Sequence, residues 1–263
     1  MPELPEVERA ARALERASRG KVIAAVRALH PSFKRSLPPA NARRARGLRV
    51  VRIERRGKHQ LIHLDDGSVL HAHFRMTGDW SFGKVTDDID PRARAVIDLE
   101  NGTRVSLIDP RALASLMLHR PGEEFLPDLG PEPLDASFTA EALRAALAKR
   151  RGPIKPALLD QSVVAGIGNI YAAESLWESR IDPRAQASSL GEQRLRALVR
   201  AIRAVLRRAR PGDGRYFTGS AQANWRVYDR EGLACSRCDG TIERITQATR
   251  STYFCPGCQV ELS

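Results

Sequence analysis

Long apolar runs are missing from this 263-residue chain. None approaches the roughly 20 residues needed to span a bilayer, and the start of the chain lacks the apolar stretch of a signal peptide. The reading is a soluble cytoplasmic protein with no membrane association. No internal repeat or low-complexity segment interrupts it. Cysteine is scarce, four residues in all, and none precedes Cys235. Acidic side chains are the minority, 31 against 43 Lys and Arg, which leaves a net charge of +12. Residues 1–130 carry 23 basic and 17 acidic side chains and the remainder 20 and 14. The excess is shared by both halves, which suits a polyanion held from two sides, although an Arg-rich composition would give the same balance. The length is comfortable for two compact domains, each with its own core.

What is present begins at the first residues, Met1-Pro2-Glu3-Leu4-Pro5-Glu6. Pro2 is small, so removal of Met1 is expected, leaving a secondary amine at the new terminus. An α-amino group titrates at about 7.7–8.0, so part of it is nucleophilic at neutral pH. Its attack on an aldehyde-like carbon gives an iminium ion, an electron sink for eliminations. Glu3 beside it can pass protons. The same residues also read as an ordinary helix start, with Pro5 at the first helical position and Glu6 and Glu8 in the first turn.

The hydrophobic pattern predicts a helix over 5–17, then strands over 21–29, 48–54, 59–64, 68–74, 95–100 and 103–108. Asp65-Asp66-Gly67 and Asn101-Gly102 are hairpin signals. Six Pro and Gly residues between 121 and 135 read as a linker. Helices are expected at 139–149, 154–164 and 169–179, with a fourth whose apolar face runs through Leu195, Leu198, Val199, Ile202, Val205 and Leu206. Between the second and third lies Gly166-Ile167-Gly168-Asn169. This turn either brings backbone amides to a phosphate, with Asn169 as the N-cap, or only permits close packing.

The cysteines form two pairs, Cys235/Cys238 and Cys255/Cys258, separated by 16 residues. That spacing is a zinc-ribbon spacing, and four protein ligands make the expected Zn2+ structural, with no open position for chemistry. Two disulfides or four free thiols are the alternatives, the first at odds with a cytoplasmic chain.

Together these features resemble the formamidopyrimidine-DNA glycosylase/endonuclease VIII family. The resemblance runs through MPELPEVE at 1–8, Arg56-Gly57-Lys58, Met76-Thr77-Gly78, Asp109-Pro110-Arg111, Gly130-Pro131-Glu132-Pro133-Leu134, Ile154-Lys155-Pro156, Leu159-Asp160-Gln161, residues 166–174 and Arg250-Ser251-Thr252-Tyr253-Phe254-Cys255-Pro256. It implies an α+β multidomain fold. An N-terminal helix and β-sandwich occupy 1–120, a linker 121–135, a helix–two-turn–helix domain 136–226 and a zinc β-hairpin 227–263. It implies a monomer acting on damaged double-stranded DNA from the cleft between domains, with the nucleotide flipped out, and with no nucleotide cofactor.

By the same resemblance Pro2 is the nucleophile, Glu3 a proton donor and Glu6 an aligning group. Lys58 serves β-elimination, and Arg250 grips phosphates and assists δ-elimination. Lys155, Gly168, Asn169 and Arg92, where the family often has histidine, are phosphate contacts. Met76 fills the gap left by the flipped base, and Arg111 faces the orphaned partner. Two features depart from the family. Leu113 stands where an aromatic wedge is usual. The 207–226 segment is short and lacks a Gly-Gly-Thr-Thr stretch, although Tyr216-Phe217 remains. The expectation is a bifunctional glycosylase and AP lyase, weaker on 8-oxoguanine than on ring-opened purines or oxidised pyrimidines. The alternatives are an endonuclease VIII-like pyrimidine glycosylase and, more remotely, a non-catalytic zinc-ribbon damage binder.

Overall fold

In the computed structural model, residues 1–209 and 225–260 are described. The 207–226 segment, with Tyr216 and Phe217, lies mostly outside them. The chain divides into two compact units, Met1–Pro2 with Glu6–Leu126 and Glu3–Pro5 with Pro127–Ser263.

The first unit holds most of α1 (Leu4–Ser18), whose Val7, Ala10 and Leu14 recur at helical spacing and enter the core. Eight strands follow. β1 (Ile23–Ala28), β6 (Ala93–Leu99), β7 (Thr103–Ile108) and β5 (Asp79–Lys84) form one sheet in that order. β2 (Val50–Arg56), β3 (His59–Leu64), β4 (Val69–His73) and β8 (Ser115–His119) form the other. Alternation decides which side chains go inward. Ile62, Leu70, Ala72 and Leu116 meet Val26, Ile97, Val105 and Leu107 in a single core, which is the expected sandwich.

Both glycine turns form. Gly67 and Gly102 are left-handed, each with φ 82, and their amides return to Leu64 O at 3.1 Å and Leu99 O at 3.0 Å. Only the glycine of each turn is left-handed, the pattern of a three-residue connection with a glycine bulge and not of a two-residue turn.

Among the described residues the short helices α2 (Pro31–Ser36) and α3 (Pro39–Arg44), a single 3-10 turn at Ala187–Ser189, and strands β5 and β8 lie outside the sequence reading. β5 is a sheet edge with four exposed residues, so it carries no apolar alternation.

The second unit is built on α4 (Ala140–Leu147), α5 (Ile154–Leu159), α6 (Asn169–Glu178) and α7 (Glu192–Arg208), followed by a hairpin of β9 (Glu243–Gln247) and β10 (Arg250–Phe254). Leu143, Leu158, Ile170, Leu176, Leu195, Leu198 and Ile202 share its core. Thr139 caps α4, its Oγ1 accepting from Ala142 N at 3.1 Å. The helix expected over 154–164 stops at Leu159. Asp160 ends it by accepting from Ser162 N at 2.9 Å and from Ser162 Oγ at 2.7 Å, a side-chain turn that competes with the helix. Among the described residues no helix is long and apolar enough to cross a membrane.

Candidate active site and metal centre

The glycine turn before α6 is shaped by the start of the chain. A Cβ on Gly166, which has φ +84, would meet Leu4 Cβ at 2.8 Å, and one on Gly168 would meet the Glu3 carboxyl carbon at 2.4 Å. Glu3 is 1% exposed, and its carboxylate accepts from Gly168 N at 2.7 Å, Ile170 N at 2.9 Å and Tyr171 N at 3.2 Å. Leu4 N donates to Gly166 O at 3.0 Å. A carboxylate at the positive end of a helix is favoured by dipole and amides together.

Two expectations are corrected here. The Gly168 amide serves Glu3 and not a phosphate. The N-cap of α6 is Gly168, with φ −134 and ψ −162, so Asn169 is the first helical residue. The Asn169 side chain does other work: Oδ1 accepts from Lys155 Nζ at 2.6 Å and Nδ2 donates to Ser251 O at 3.0 Å.

Lys155 is likewise not an open phosphate contact. It is 1% exposed, and its ammonium donates to Asn169 Oδ1, to Thr252 Oγ1 at 2.8 Å and to Ser251 O at 3.0 Å. An ammonium has three donors, and all three are engaged inside the protein. Burial pulls the Lys155 pKa down to about 8; Arg250 adds to the fall and Glu3 opposes it. Lys155 therefore fastens α5 and α6 to the strand that opens with Arg250. Arg250 itself is exposed, just beyond a turn in which Ala248 and Thr249 are left-handed.

In the first unit, Pro2 and Glu6 are half-buried, and Lys58 is buried at the β2–β3 turn, where Gly57 takes φ 58. Glu8 on α1 accepts from Arg55 Nε on β2 at 2.7 Å, and Arg55 Nη1 donates to Gly57 O at 3.0 Å. Burial raises the Glu8 pKa, but its bonds to Arg12 and Arg55 outweigh that and lower it. The turn carrying Lys58 is thus braced from α1.

Three histidines cluster beside that turn: His59, His73 opposite it on β4, and His71 two residues earlier on β4, opposite Leu61. His59 Nδ1 lies 2.8 Å from His71 Nε2. Burial above all, then Arg75 for His59 and the His59 ring for His71 and His73, lowers them to about 4, 3 and 3, which keeps the rings neutral near pH 7. Sequence reasoning missed this cluster, although histidines at 59, 71 and 73 on paired strands were its available signal.

Met76 is half-buried and Arg111 and Leu113 are exposed, each on a loop anchored at Asp109. Arg92 is exposed, and its guanidinium is already forked onto Asp90, with Nε to Oδ1 at 3.0 Å and Nη2 to Oδ2 at 2.7 Å. A phosphate there has to compete with that carboxylate.

The four cysteine sulfurs lie within 4.8 Å of one another, and among the described residues no other group of three or more such side chains does so. Cys235 and Cys258 Sγ are 3.9 Å apart and Cys238 and Cys255 Sγ 3.4 Å, too far for disulfides and close to the edges of a thiolate tetrahedron about zinc. Gly240 and Gly257 leave room for the sulfurs, since a Cβ on either would stand 3.3 Å from one. The donor set fits one structural Zn2+. Arg237 lies over the Trp177 ring at 3.7 Å and donates to Trp177 O at 2.6 Å. Gln259 bridges Cys255 N at 2.8 Å and Ile181 O at 2.9 Å. Both ties fix the cysteine knuckles to α6 and the chain just after it.

Known proteins agree with this geometry along the whole chain. Residues 1–116 match the formamidopyrimidine-DNA glycosylase N-terminal domain, 129–217 the formamidopyrimidine-DNA glycosylase H2TH domain, and 232–260 the zinc finger found in FPG and IleRS. The formamidopyrimidine-DNA glycosylase of Paracoccus denitrificans is 42% identical over 98% of this chain and all of its own length. That of Chloroflexus aurantiacus is 41% identical over 100% and 99%. Among solved structures, MutM in complex with DNA containing carbocyclic 8-oxo-G aligns at TM-score 0.90 and 32% identity over 99% and 100% of the chains. The Lactococcus lactis Fpg complex with abasic-site DNA aligns at 0.89 and 30% over 98% and 100%. This chain belongs to the formamidopyrimidine-DNA glycosylase family.

Proposed function

We propose that the chain is a bifunctional DNA glycosylase and AP lyase of base-excision repair, acting on damaged double-stranded DNA. With Met1 removed, the Pro2 nitrogen attacks C1′ of the damaged nucleotide. The C1′–N bond breaks and the base leaves with the electron pair, taking a proton by way of Glu3. Ring opening gives an iminium at C1′. Loss of a C2′ proton then expels the 3′ phosphate, with Lys58 as proton donor, and a second elimination at C5′ expels the other phosphate beside Arg250.

The observation that carries this reading is the anchoring of Glu3. A buried carboxylate gripped by three amides of the α6 turn fixes the residue next to Pro2, which a helix start alone would not require. Full-length relatives named for the formamidopyrimidine activity favour it over the endonuclease VIII-like and non-catalytic alternatives.

Glu6, Met76, Arg92, Arg111, Asn169 and Arg250 are proposed to line the DNA path, and Lys155 and Gly168 to act behind it, through the groups they hold. Residues 1–120, 136–226 and 227–263 are proposed as the functional modules, with 121–135 linking them. The protein is proposed to work as a monomer in the bacterial cytoplasm, without a nucleotide cofactor. The test is a set of duplexes that differ only in one defined lesion. Excision followed by two eliminations leaves a phosphate on both sides of the gap. Strands left intact, or base release without strand cleavage, would contradict the reading.

A further inference from the structure

The loops that carry Met76 and Arg111 are separate in sequence, yet one buried carboxylate organises both. Asp109 is 0% exposed. Its Oδ1 accepts from Thr77 Oγ1 and from Arg111 N at 3.2 Å, and its Oδ2 accepts from Leu113 N at 2.6 Å and Ala114 N at 2.7 Å. The Asp109 backbone is itself clamped, its carbonyl accepting from Arg94 Nε at 2.6 Å and from Ala112 N at 3.1 Å. The bend is held from outside as well, with Arg94 Nη2 on Pro110 O at 3.2 Å and Ser32 Oγ on Ala112 O at 3.3 Å.

Each loop also contains a left-handed residue that is not glycine. Arg75 has φ 54 and precedes Met76; Ala112 has φ 52 and lies between Arg111 and Leu113. For L-residues this conformation is strained and persists only where the surroundings over-determine it. In the first loop Gly78 closes the turn, its N bonding Phe74 O at 3.1 Å where a Cβ would stand 2.8 Å from Phe74 Cα. In the second, the fan of amides on Asp109 supplies the constraint. Two strained loops joined by one hydroxyl–carboxylate bond form a single rigid presenting element.

We infer that Asp109 and Thr77 are positioning residues that lock Met76, Arg111 and Leu113 into one wedge, so that these side chains enter the DNA stack together. The inference rests on the proposed role of Met76 and Arg111 in filling the gap left by an extruded nucleotide. Neither Asp109 nor Thr77 touches the reacting atoms. Their effect is confined to substrates in which a stack has to be opened. Base flipping from a duplex requires a filler for the hole, whereas a single strand has no hole to fill.

The test compares single-turnover cleavage of an abasic site in a duplex with the same site in a single strand. Thr77→Val removes the donor while keeping the shape. It is expected to lower the duplex-to-single-strand ratio about tenfold, about 1.4 kcal/mol in the barrier, and Thr77→Ser to restore it. Asp109→Asn has one acceptor oxygen for four donors and is expected to lower the ratio at least as far, with the double variant no worse than Asp109→Asn alone because the Thr77 bond is already among those lost. A general folding defect would lower both rates and leave the ratio intact, which would overturn the inference, as would strictly additive losses or a wild-type ratio in Thr77→Val. A Met76→Ala/Arg111→Ala variant separates the two claims. If it leaves the ratio unchanged, the wedge reading itself fails. If it lowers the ratio while Thr77→Val does not, only the coupling through Asp109 fails.

Discussion

The Glu3 carboxylate fills the space where a side chain on residue 168 would begin: a Cβ there would stand 2.4 Å from its carboxyl carbon. Gly168 is therefore required by a contact 165 residues away in sequence and not by its backbone angles, since its φ of −134 suits any residue. Gly168→Ala is expected to expel Glu3 from the α6 amides, to misplace the adjoining Pro2 and so to slow strand cleavage at a preformed abasic site at least tenfold, the equivalent of about 1.4 kcal/mol. Affinity for undamaged duplex, measured by titration, is expected to change much less. Equal losses in both would show that the turn serves binding and not the placement of Glu3.

Lys155 makes a pH-dependent prediction. Its pKa in the folded protein is about 8 against an ordinary 10.5. Between those values the unfolded chain binds the proton that the folded protein has released, so this residue's contribution to stability rises with pH across that window. The rise is bounded by about 1.4 kcal/mol for each pH unit that separates the two values. Lys155→Met leaves Asn169 Oδ1, Ser251 O and Thr252 Oγ1 without their donor, and each such loss costs about 1–3 kcal/mol. The variant is expected to melt lower than wild type at pH 7.5, with the gap widening toward pH 10.5. A gap that is constant or narrows with pH would contradict the burial account.

Removal of the metal is expected to act through the same strand. Cys258→Ser opens the ligand set, and a hairpin this small depends on its metal to fold. Bound zinc, measured by elemental analysis, is expected to fall from one per chain to near zero, and affinity for duplex DNA at least tenfold as Arg250 loses its support. Full DNA affinity without zinc would refute the metal's role in placing that arginine.

Leu113 tests base preference. It is 46% exposed at the tip of the Asp109 loop, where an aliphatic side chain stacks on bases less well than a ring. Excision of 8-oxoguanine opposite cytosine is expected to be slower than that of ring-opened purines or oxidised pyrimidines, and Leu113→Phe to raise it severalfold. If 8-oxoguanine is already the fastest substrate by a wide margin, Leu113 does not set the preference.

Much of this was legible in the sequence because its signals are local. The cysteine spacing, the Asn101-Gly102 turn and the apolar face of α7 each depend on residues within a few turns of one another. The short elements α2, α3, β5 and β8 were not legible. They are too brief for a period to register, and tertiary pairing makes them. The same limit applied inside the site. The resemblance assigns Lys155 and Gly168 to phosphates, whereas their partners lie up to 97 and 165 residues away. Asp109 stood in a recognisable motif, yet nothing in the sequence tells that its oxygens meet Thr77 as well as its own loop.

The central claim is that the terminal amine of Pro2 is the nucleophile. Borohydride reduction of the protein mixed with abasic-site DNA reduces an iminium to a stable amine, which peptide mapping by mass spectrometry locates. The account predicts one covalent complex per active chain, with the adduct on residue 2 of a chain that has lost Met1. An adduct on Lys58, on Lys155 or on any other lysine, with residue 2 unmodified, would contradict it.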